Sequence, residues 1–392
     1  LNGDGTICVM GAAGYYSDTV GSPGNVVGKV WIYQYVSDTN WTKIGEISDP
    51  TGNTNTLFGF SVDINNEGNI IAVNALATGI SYIYQYNSGT TWTNIGELST
   101  GTSGLDGNNL PNSNISLNND GDVVAVGSTD HDNDKGKVSI YKYNSSTWDL
   151  LGSAIVGDEH TWANGSTYGR QIGLAVSLNG SGNRVAIGNN GVSSGWRVYV
   201  YDYGDSTMTS INSSWSLLEN GANDYIENTS GSNSANRFGT SLSINDAGNI
   251  LAIGAPFYGY TETNQGAAFI YSYSNSSWTE EFTKYGEHQS DAFGFSISLN
   301  GSGSVFSTGA RLYDYLHNNF TGQEGSAPSG GIVYIYETGE DTEITTTPIS
   351  YTLIPPDLVS DSVSIVSNNT DTTKAKATDE VTLSFEYDLS IN

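Results

Sequence analysis

One phrase returns six times along this chain, an Asn-x-x-Gly turn followed by an apolar strand that ends near Gly-Ala: LNGDGTICVMGA, INNEGNIIAVNA, LNNDGDVVAVGS, LNGSGNRVAIGN, INDAGNILAIGA and LNGSGSVFSTGA. The turn asparagines are Asn2, Asn65, Asn118, Asn179, Asn245 and Asn300, spaced 53 to 66 residues apart. A period of that length holds one four-stranded sheet. Within a period the order is an alternating strand, the turn, a second strand, a variable loop, a third strand of the IYQY type and a Trp-led fourth. Alternation over five to seven residues rich in Val, Ile and Tyr, bounded by Gly, Asn and Ser, is the period-2 signature of strands. No amphipathic helix is visible.

A lone twisted sheet of four strands has two apolar faces and can cover neither, so successive sheets must stack around an axis. The expected fold is therefore all-β, a β-propeller of four-stranded blades with six visible copies, and a seventh only if one lies upstream of Leu1. The third strands carry tyrosines two apart (Tyr33 and Tyr35, Tyr84 and Tyr86, Tyr141 and Tyr143, Tyr201 and Tyr203, Tyr271 and Tyr273, Tyr334 and Tyr336), which project from one face of each strand. Trp41, Trp92, Trp148, Trp215 and Trp278 follow where a hairpin returns them beside that face. One such cluster in nearly every blade argues for packing rather than for a sugar platform.

Charge narrows the partners. A formal net charge of -28, from 13 basic and 41 acidic residues, repels phosphate backbones and anionic lipid, so nucleic acid and direct membrane insertion are excluded from the expected partners. The single cysteine, Cys8, reads as a small buried hydrophobe in a second strand. No run of about 20 apolar residues and no signal peptide is present. Leu1 begins at the end of a strand whose counterparts read FGFSVDI and FGFSISL, and the expectation is that the sequence has lost its beginning.

The combination FG-x-S, N-x-x-G, [VI]-A-[VI]-G-A and G-x-V-x-I-Y resembles the FG-GAP repeat of integrin α-subunit heads and many secreted microbial proteins, over about residues 1 to 340. Phe58-Gly59, Phe238-Gly239 and Phe293-Gly294 match it well and Tyr168-Gly169 loosely, while the third blade, at Asn114, Ile115 and Ser116, lacks the pair. The propeller is assigned to 1-354 and a Pro-Pro linker to 355-361. Residues 362-392, with alternating runs at Ser362 to Val366 and Glu380 to Tyr387, resemble the first strands of a truncated Ig-like module of the tandem kind found in large surface proteins.

FG-GAP blades often carry a calcium loop of closely spaced oxygens, which makes calcium the one cofactor to weigh. The best copy offers Asp63, Asn65 and Glu67, but Ile71 stands where the closing carboxylate belongs, so plain turns in which Asn and Gly supply the φ > 0 positions are favoured. His131, His160, His288 and His317 lack metal-ligand spacing. No catalytic residue is assigned; the densest polar loop, Asp130, His131, Asp132 and Asp134, reads as a solvated acidic loop. Sequons at Asn40, Asn144, Asn164, Asn212, Asn228, Asn275, Asn319 and Asn368 are the glycosylation candidates. Long insertions at 99 to 112, 157 to 168, 219 to 237 and 310 to 330 lie where propellers grow binding surfaces.

The expected role is a non-catalytic structural or adhesive module of a large surface, appendage or fibre protein, extracellular or at the cell surface. Its expected partners are other copies, other surface proteins or glycans. The alternatives are a carbohydrate-binding, lectin-like propeller and a propeller glycosidase or lyase.

Overall fold

The computed structural model describes residues 1–14, 28–37, 40–53, 56–99, 114–161, 167–189, 195–221, 223–228, 236–261, 263–310, 332–338, 349–350, 358–367 and 381–387. Six antiparallel sheets follow one another as blades of a propeller. Blade 2 is complete: inner strand Phe58–Ile64, second Ile70–Ala75, third Ile80–Ser88 and outer Thr91–Ser99. Blades 5 and 6 repeat that order. In blades 3 and 4 the outer strand is broken into two pieces, Trp148–Leu150 with Ile155–Val156 and Trp215–Leu217 with Ile226–Glu227. Blade 1 has three strands, Ile7–Ala12, Lys29–Ser37 and Asn40–Ser48, and among the described residues no inner one. Four strands per blade is thus not uniform. The strands Leu358–Ser367 and Val381–Tyr387 form a hairpin whose Ser364 lies opposite Asn40, and an Ig-like module is not identified there.

Burial drives the stacking. Five apolar clusters each join two consecutive blades, from Val30, Ile32 and Phe58 between blades 1 and 2 to Ile270, Phe293 and Phe306 between blades 5 and 6. The Tyr-Trp pairs close as the spacing predicts: Tyr35–Trp41, Tyr86–Trp92, Tyr143–Trp148, Tyr203–Trp215 and Tyr273–Trp278 have ring centroids 5.1 to 5.6 Å apart. In blades 2 and 3 the indole also reaches the blade before it. A Cβ on Gly45 would meet Trp92 Nε1 at 2.4 Å, and one on Gly96 would meet Trp148 Cδ1 at 2.4 Å. The small residue makes room for the next blade's ring.

The Asn-x-x-Gly turns work differently from expectation. Only the glycines (Gly5, Gly68, Gly121, Gly182, Gly248, Gly303) have positive φ, between 72 and 77°. The asparagines act through their side chains: Asn65 Oδ1 accepts Asn69 N–H at 2.9 Å and Ile70 N–H at 2.8 Å, and Asn118, Asn179, Asn245 and Asn300 repeat the bond to the first residues of their second strands. The residue after each asparagine carries a backbone relay from blade to blade. Gly3 N–H donates to Asn66 O, Asn66 to Asn119, Asn119 to Gly180, Gly180 to Asp246 and Asp246 to Gly301, at 2.9 to 3.1 Å.

At the opposite end of the inner strands the Phe-Gly glycines lie at φ 84 to 94°, and in blade 4 the glycine is Gly173. The Tyr168-Gly169 match is therefore corrected. Ile172 pairs with Asn189 as Phe58 pairs with Ala75 and Phe293 with Ala310, so Ile172-Gly173 holds the place of Phe-Gly.

Chain direction gives the wheel two unlike ends. The Asn-x-x-Gly turns and the hairpins between third and outer strands share one end. The connections from second to third strand and from one blade to the next share the other, the insertion face.

Candidate functional site

Two insertion-face segments of blades 5 and 6 are zipped together by backbone bonds. Gly286 N–H donates to Gly266 O at 3.0 Å, Ser290 N–H to Thr263 O at 3.1 Å and Phe293 N–H to Gln265 O at 3.2 Å, while Gly266 N–H turns back to Tyr258 O at 2.8 Å. Gln265, buried, fixes the pairing from inside: Oε1 accepts Thr261 Oγ1 at 3.2 Å and Nε2 donates to Gly286 O. Left-handed backbone at Asn264 (φ 56°) recurs in blade 3 at Asp134 (φ 65°), whose neighbours are zipped to the next blade in the same way, while Ser290 (φ 65°) adds a second such residue to this loop pair. Ala292 (φ 54°), in contrast, belongs to the repeat, because Leu57, Gln171 and Arg237 take the same conformation just before their own inner-strand glycine pairs.

The loop from 286 to 292 is organised around Asp291, which is 2% exposed. Its Oδ2 accepts the N–H of Glu287 at 3.1 Å and of His288 at 2.8 Å, and lies 3.6 Å from His288 Nδ1. Burial pushes the Asp291 carboxyl above the usual carboxylate range, against the pull of the His288 N–H bond. The His288 side chain is about one-third exposed (32%). The pair is thus a reachable imidazole with a buried carboxylate at one nitrogen, the arrangement in which a histidine takes a proton and the acid steadies the imidazolium.

On the same two segments, Tyr258, Tyr260 and Tyr285 form a stack outside the Tyr-Trp repeat. Tyr258 and Tyr285 stack at 5.7 Å, and Tyr285 and Tyr260 at 4.5 Å with planes 8° apart. Tyr258 is buried, its hydroxyl pushed up to about 12 chiefly by burial, while Tyr260 is 64% exposed. An exposed flat ring backed by others is a surface on which the C–H face of a sugar can rest. Arg237 lies 4.3 Å over Phe257, beside Tyr258, and brings positive charge to this side.

The candidates that motif and spacing single out fall elsewhere, and most are occupied. Asp63 Oδ1 accepts Ile64 N–H at 2.9 Å and Oδ2 accepts Leu117 N–H at 2.7 Å, so it faces blade 3 rather than its own turn. Asn65 holds the turn, and Glu67 Oε2 accepts Asn69 Nδ2 at 2.9 Å. In the acidic loop, Asp132 pairs with Lys135 at 2.9 Å and Lys135 with Glu159 at 3.1 Å. Asn40, Asn144, Asn212 and Asn275 are exposed at tips between third and outer strands; Asn228 is half-buried on the insertion face. Asn164, Asn319 and Asn368, with His317 and most of the long insertions, lie outside the described residues. A cleft of about 170 Å³ at the turn end, lined by Asn179, Arg184, Asp202 and Tyr203, is charge-neutralised within itself. There Arg184 Nε and Nη2 meet Asp202 at 2.5 and 2.7 Å. The pairing of His288 with Asp291 is invisible to motif and spacing. Its only written trace is a His-x-x-Asp spacing just ahead of Phe293-Gly294.

No family model matches the chain, and no curated protein matches it in sequence. Among solved structures it is similar to a candidate 6-phosphogluconolactonase from Bacteroides uniformis, with a TM-score of 0.55 and 11% identity over 98% of this chain and 100% of that one. A second, from Bacteroides fragilis, has a TM-score of 0.54 and 8% identity over 98% and 99%. The likeness is one of fold. It stands against the expected non-catalytic structural or adhesive module and the expectation that the chain is not an enzyme, because the propellers matching nearly its whole length bear the name of a lactonase. The physical reason lies in the repeats. Their aromatics and turns are consumed in joining blades, and the non-repeated chemistry stands apart on the insertion face.

Proposed function

We propose that the chain is a hydrolytic propeller that opens an ester-like bond, with the lactone of a sugar acid as substrate class, at the insertion face between blades 5 and 6. The observation that carries this reading is the His288–Asp291 pair on the loop that follows Tyr285, the ring on which the exposed Tyr260 stacks. The names borne by the two similar folds support the choice of substrate class.

In this reading Tyr260 carries the sugar face and His288 takes a proton from a water as that water attacks the carbonyl carbon. The ring C–O bond breaks, and the proton returns from the imidazolium to the leaving alkoxide, so the products are a carboxylic acid and an alcohol. Asp291 stabilises the imidazolium between the two transfers. The test is proton release from a sugar-acid lactone by the purified chain. Turnover above the buffer rate that falls about 10²-fold or more in His288→Gln is expected. Opening of the lactone at the buffer rate alone, or an undiminished H288Q, defeats the proposal.

A second reading, sugar binding without turnover, is favoured by the exposure of Tyr260 and would appear as saturable binding of a lactone or pyranose with no hydrolysis. The kinship of the repeats with the FG-GAP type, an Ig-like start at 362-392 and an extracellular setting are further proposals. For the setting, the support is four exposed sequons, at Asn40, Asn144, Asn212 and Asn275, that share the end of the wheel opposite the candidate site. Expression in a secreting eukaryotic host followed by glycopeptide mapping tests it.

A further inference from the structure

The zipper between blades 5 and 6 recurs between blades 3 and 4. Gly157 N–H donates to Gly136 O at 3.0 Å, Ile172 N–H to Lys135 O at 3.2 Å and Gln171 N–H to Asp134 O at 2.8 Å. The side chains on this second zipper are different. Arg170 stands two residues before Ile172, as Asp291 stands two before Phe293, so a guanidinium takes the place of the buried carboxyl.

The third strand of blade 4 brings a second arginine. Arg197 lies in register with Glu227; its Nε meets Glu227 Oε2 at 3.2 Å and its Cζ sits 3.8 Å over the ring of Tyr225. The Arg170 and Arg197 side chains are each only 16% exposed. Tyr199, two residues on from Arg197 and on the same face of the strand, links them. Burial raises its hydroxyl, while the charges of Arg170 and Arg197 and a side-chain hydrogen bond from Arg197 pull it back. Two of the five arginines in a chain of net charge -28 thus converge on one hydroxyl.

The two cations are not equally satisfied. Arg197 is held by Glu227, Tyr225 and Tyr199. Arg170 pairs through Nε with the carboxylate of Asp158, and its Nη1 is buried with no hydrogen-bond acceptor among the described residues. A buried donor left without an acceptor is destabilising until a partner arrives. The Asp158 side chain is 71% exposed, so it can turn into water at little cost and leave Arg170 to another anion.

We propose that Arg170, Arg197 and Tyr199 form a binding site for the carboxylate of a small organic acid at the seam between blades 3 and 4, with Asp158 as the resident carboxylate that the ligand displaces. The ligand gives Arg170 Nη1 the acceptor it lacks, and the Tyr199 hydroxyl donates to the same carboxylate. Glu227 stays on Arg197, so one incoming negative charge balances the site. A phosphate dianion would overcharge it. The site is separate from the His288 loop, which belongs to the seam between blades 5 and 6.

The test uses the whole chain with acetate, and with acetamide as its neutral counterpart of the same shape, at constant ionic strength. Methyl line broadening by NMR should show saturable binding of acetate and none of acetamide. Arg170→Met should weaken acetate binding about ten-fold or more, and Asp158→Asn should tighten it about three-fold or more by removing the competitor. Asp158 is exposed, so D158N keeps the fold even where R170M does not. Acetamide binding as well as acetate overturns the proposal, as does inorganic phosphate binding more tightly than acetate. So does a D158N chain that binds acetate no better than the parent, which would make the Arg170–Asp158 pair a brace of the connection alone.

Discussion

The carboxylate of Asp63 in blade 2 accepts the backbone N–H of Leu117 in blade 3 at 2.7 Å, at a position where the next three blades use serine. Ser116 takes the N–H of Leu178, Ser177 that of Ile244 and Ser243 that of Leu299, at 2.9 to 3.1 Å. Inner strands have one unpaired edge, and these side chains satisfy donors that would otherwise stay orphaned near the axis. A neutral hydroxyl does this without a buried charge. Asp63 does not, and burial raises its carboxyl above the ordinary aspartate value, only partly countered by the Leu117 and Ile64 N–H bonds.

A raised acid in the fold means that the native state holds its proton more tightly than the unfolded chain. The contribution of Asp63 to stability is then greatest below its unfolded pKa and falls as pH rises through the folded value. Asp63→Asn keeps an acceptor oxygen for Leu117 N–H and removes the charge, so the variant should melt higher than the parent at pH 7, with the gap closing towards acid pH. Thermal unfolding of both proteins from pH 3 to 8 measures this. A lower Tm for D63N at neutral pH would mean that the charged latch is worth more than its desolvation.

The paired glycines allow a contrast between two chemically identical changes. Gly127→Val forces a Cβ to within 2.2 Å of the Gly173 carbonyl, a backbone atom that cannot swing away, and should cost about 1–3 kcal/mol or more. Among the described residues Gly309→Val meets only the tip of Ser296, and it should stay within about 0.5 kcal/mol of the parent. Urea denaturation of both variants decides the matter, and equal losses would remove the distinction between a glycine set against backbone and one set against a side-chain tip.

What is legible in the sequence is what repeats locally. Strands, turns and Tyr-Trp hairpins rest on neighbours a few residues apart, so spacing alone places them. Two kinds of feature escape it. Ile172-Gly173 is hidden because the seam depends on the glycine's positive φ and its contact with Gly127 rather than on the aromatic in front of it. The Asp63 latch is hidden because its partner is 54 residues away. His288 and Asp291 are close in sequence, yet they acquire a shape only once the 286–292 segment is zipped to the loop that holds Thr263 and Gln265. A short spacing inside a connection carries no periodicity to flag it.

Tyr260 separates binding from folding. Its ring is 64% exposed and stacked on Tyr285, so Tyr260→Ala should leave the melting transition within about 0.5 kcal/mol of the parent. Loss of the stacking surface should weaken substrate binding by up to about ten-fold, seen as a raised KM with kcat little changed. Steady-state kinetics with a sugar-acid lactone, the proposed substrate class, read this directly. An unchanged KM would move the sugar face away from this ring.

Asn118 tests the turn chemistry itself. Its Oδ1 accepts the N–H of Asp122 at 3.1 Å and of Val123 at 2.9 Å, and its Nδ2 donates to Asp122 Oδ1 at 2.9 Å. Val123 is fully buried, so Asn118→Ala strands an N–H where water does not reach, and a loss of about 1–3 kcal/mol is expected. Asn118→Asp keeps the acceptor but sets a carboxylate against Asp122, so it should fall between parent and alanine. Were the asparagine needed only for its backbone conformation, as a φ > 0 turn residue would be, glycine would replace it well. The side-chain account instead requires Asn118→Gly to be at least as damaging as alanine, and urea unfolding of the three variants at pH 7 ranks them.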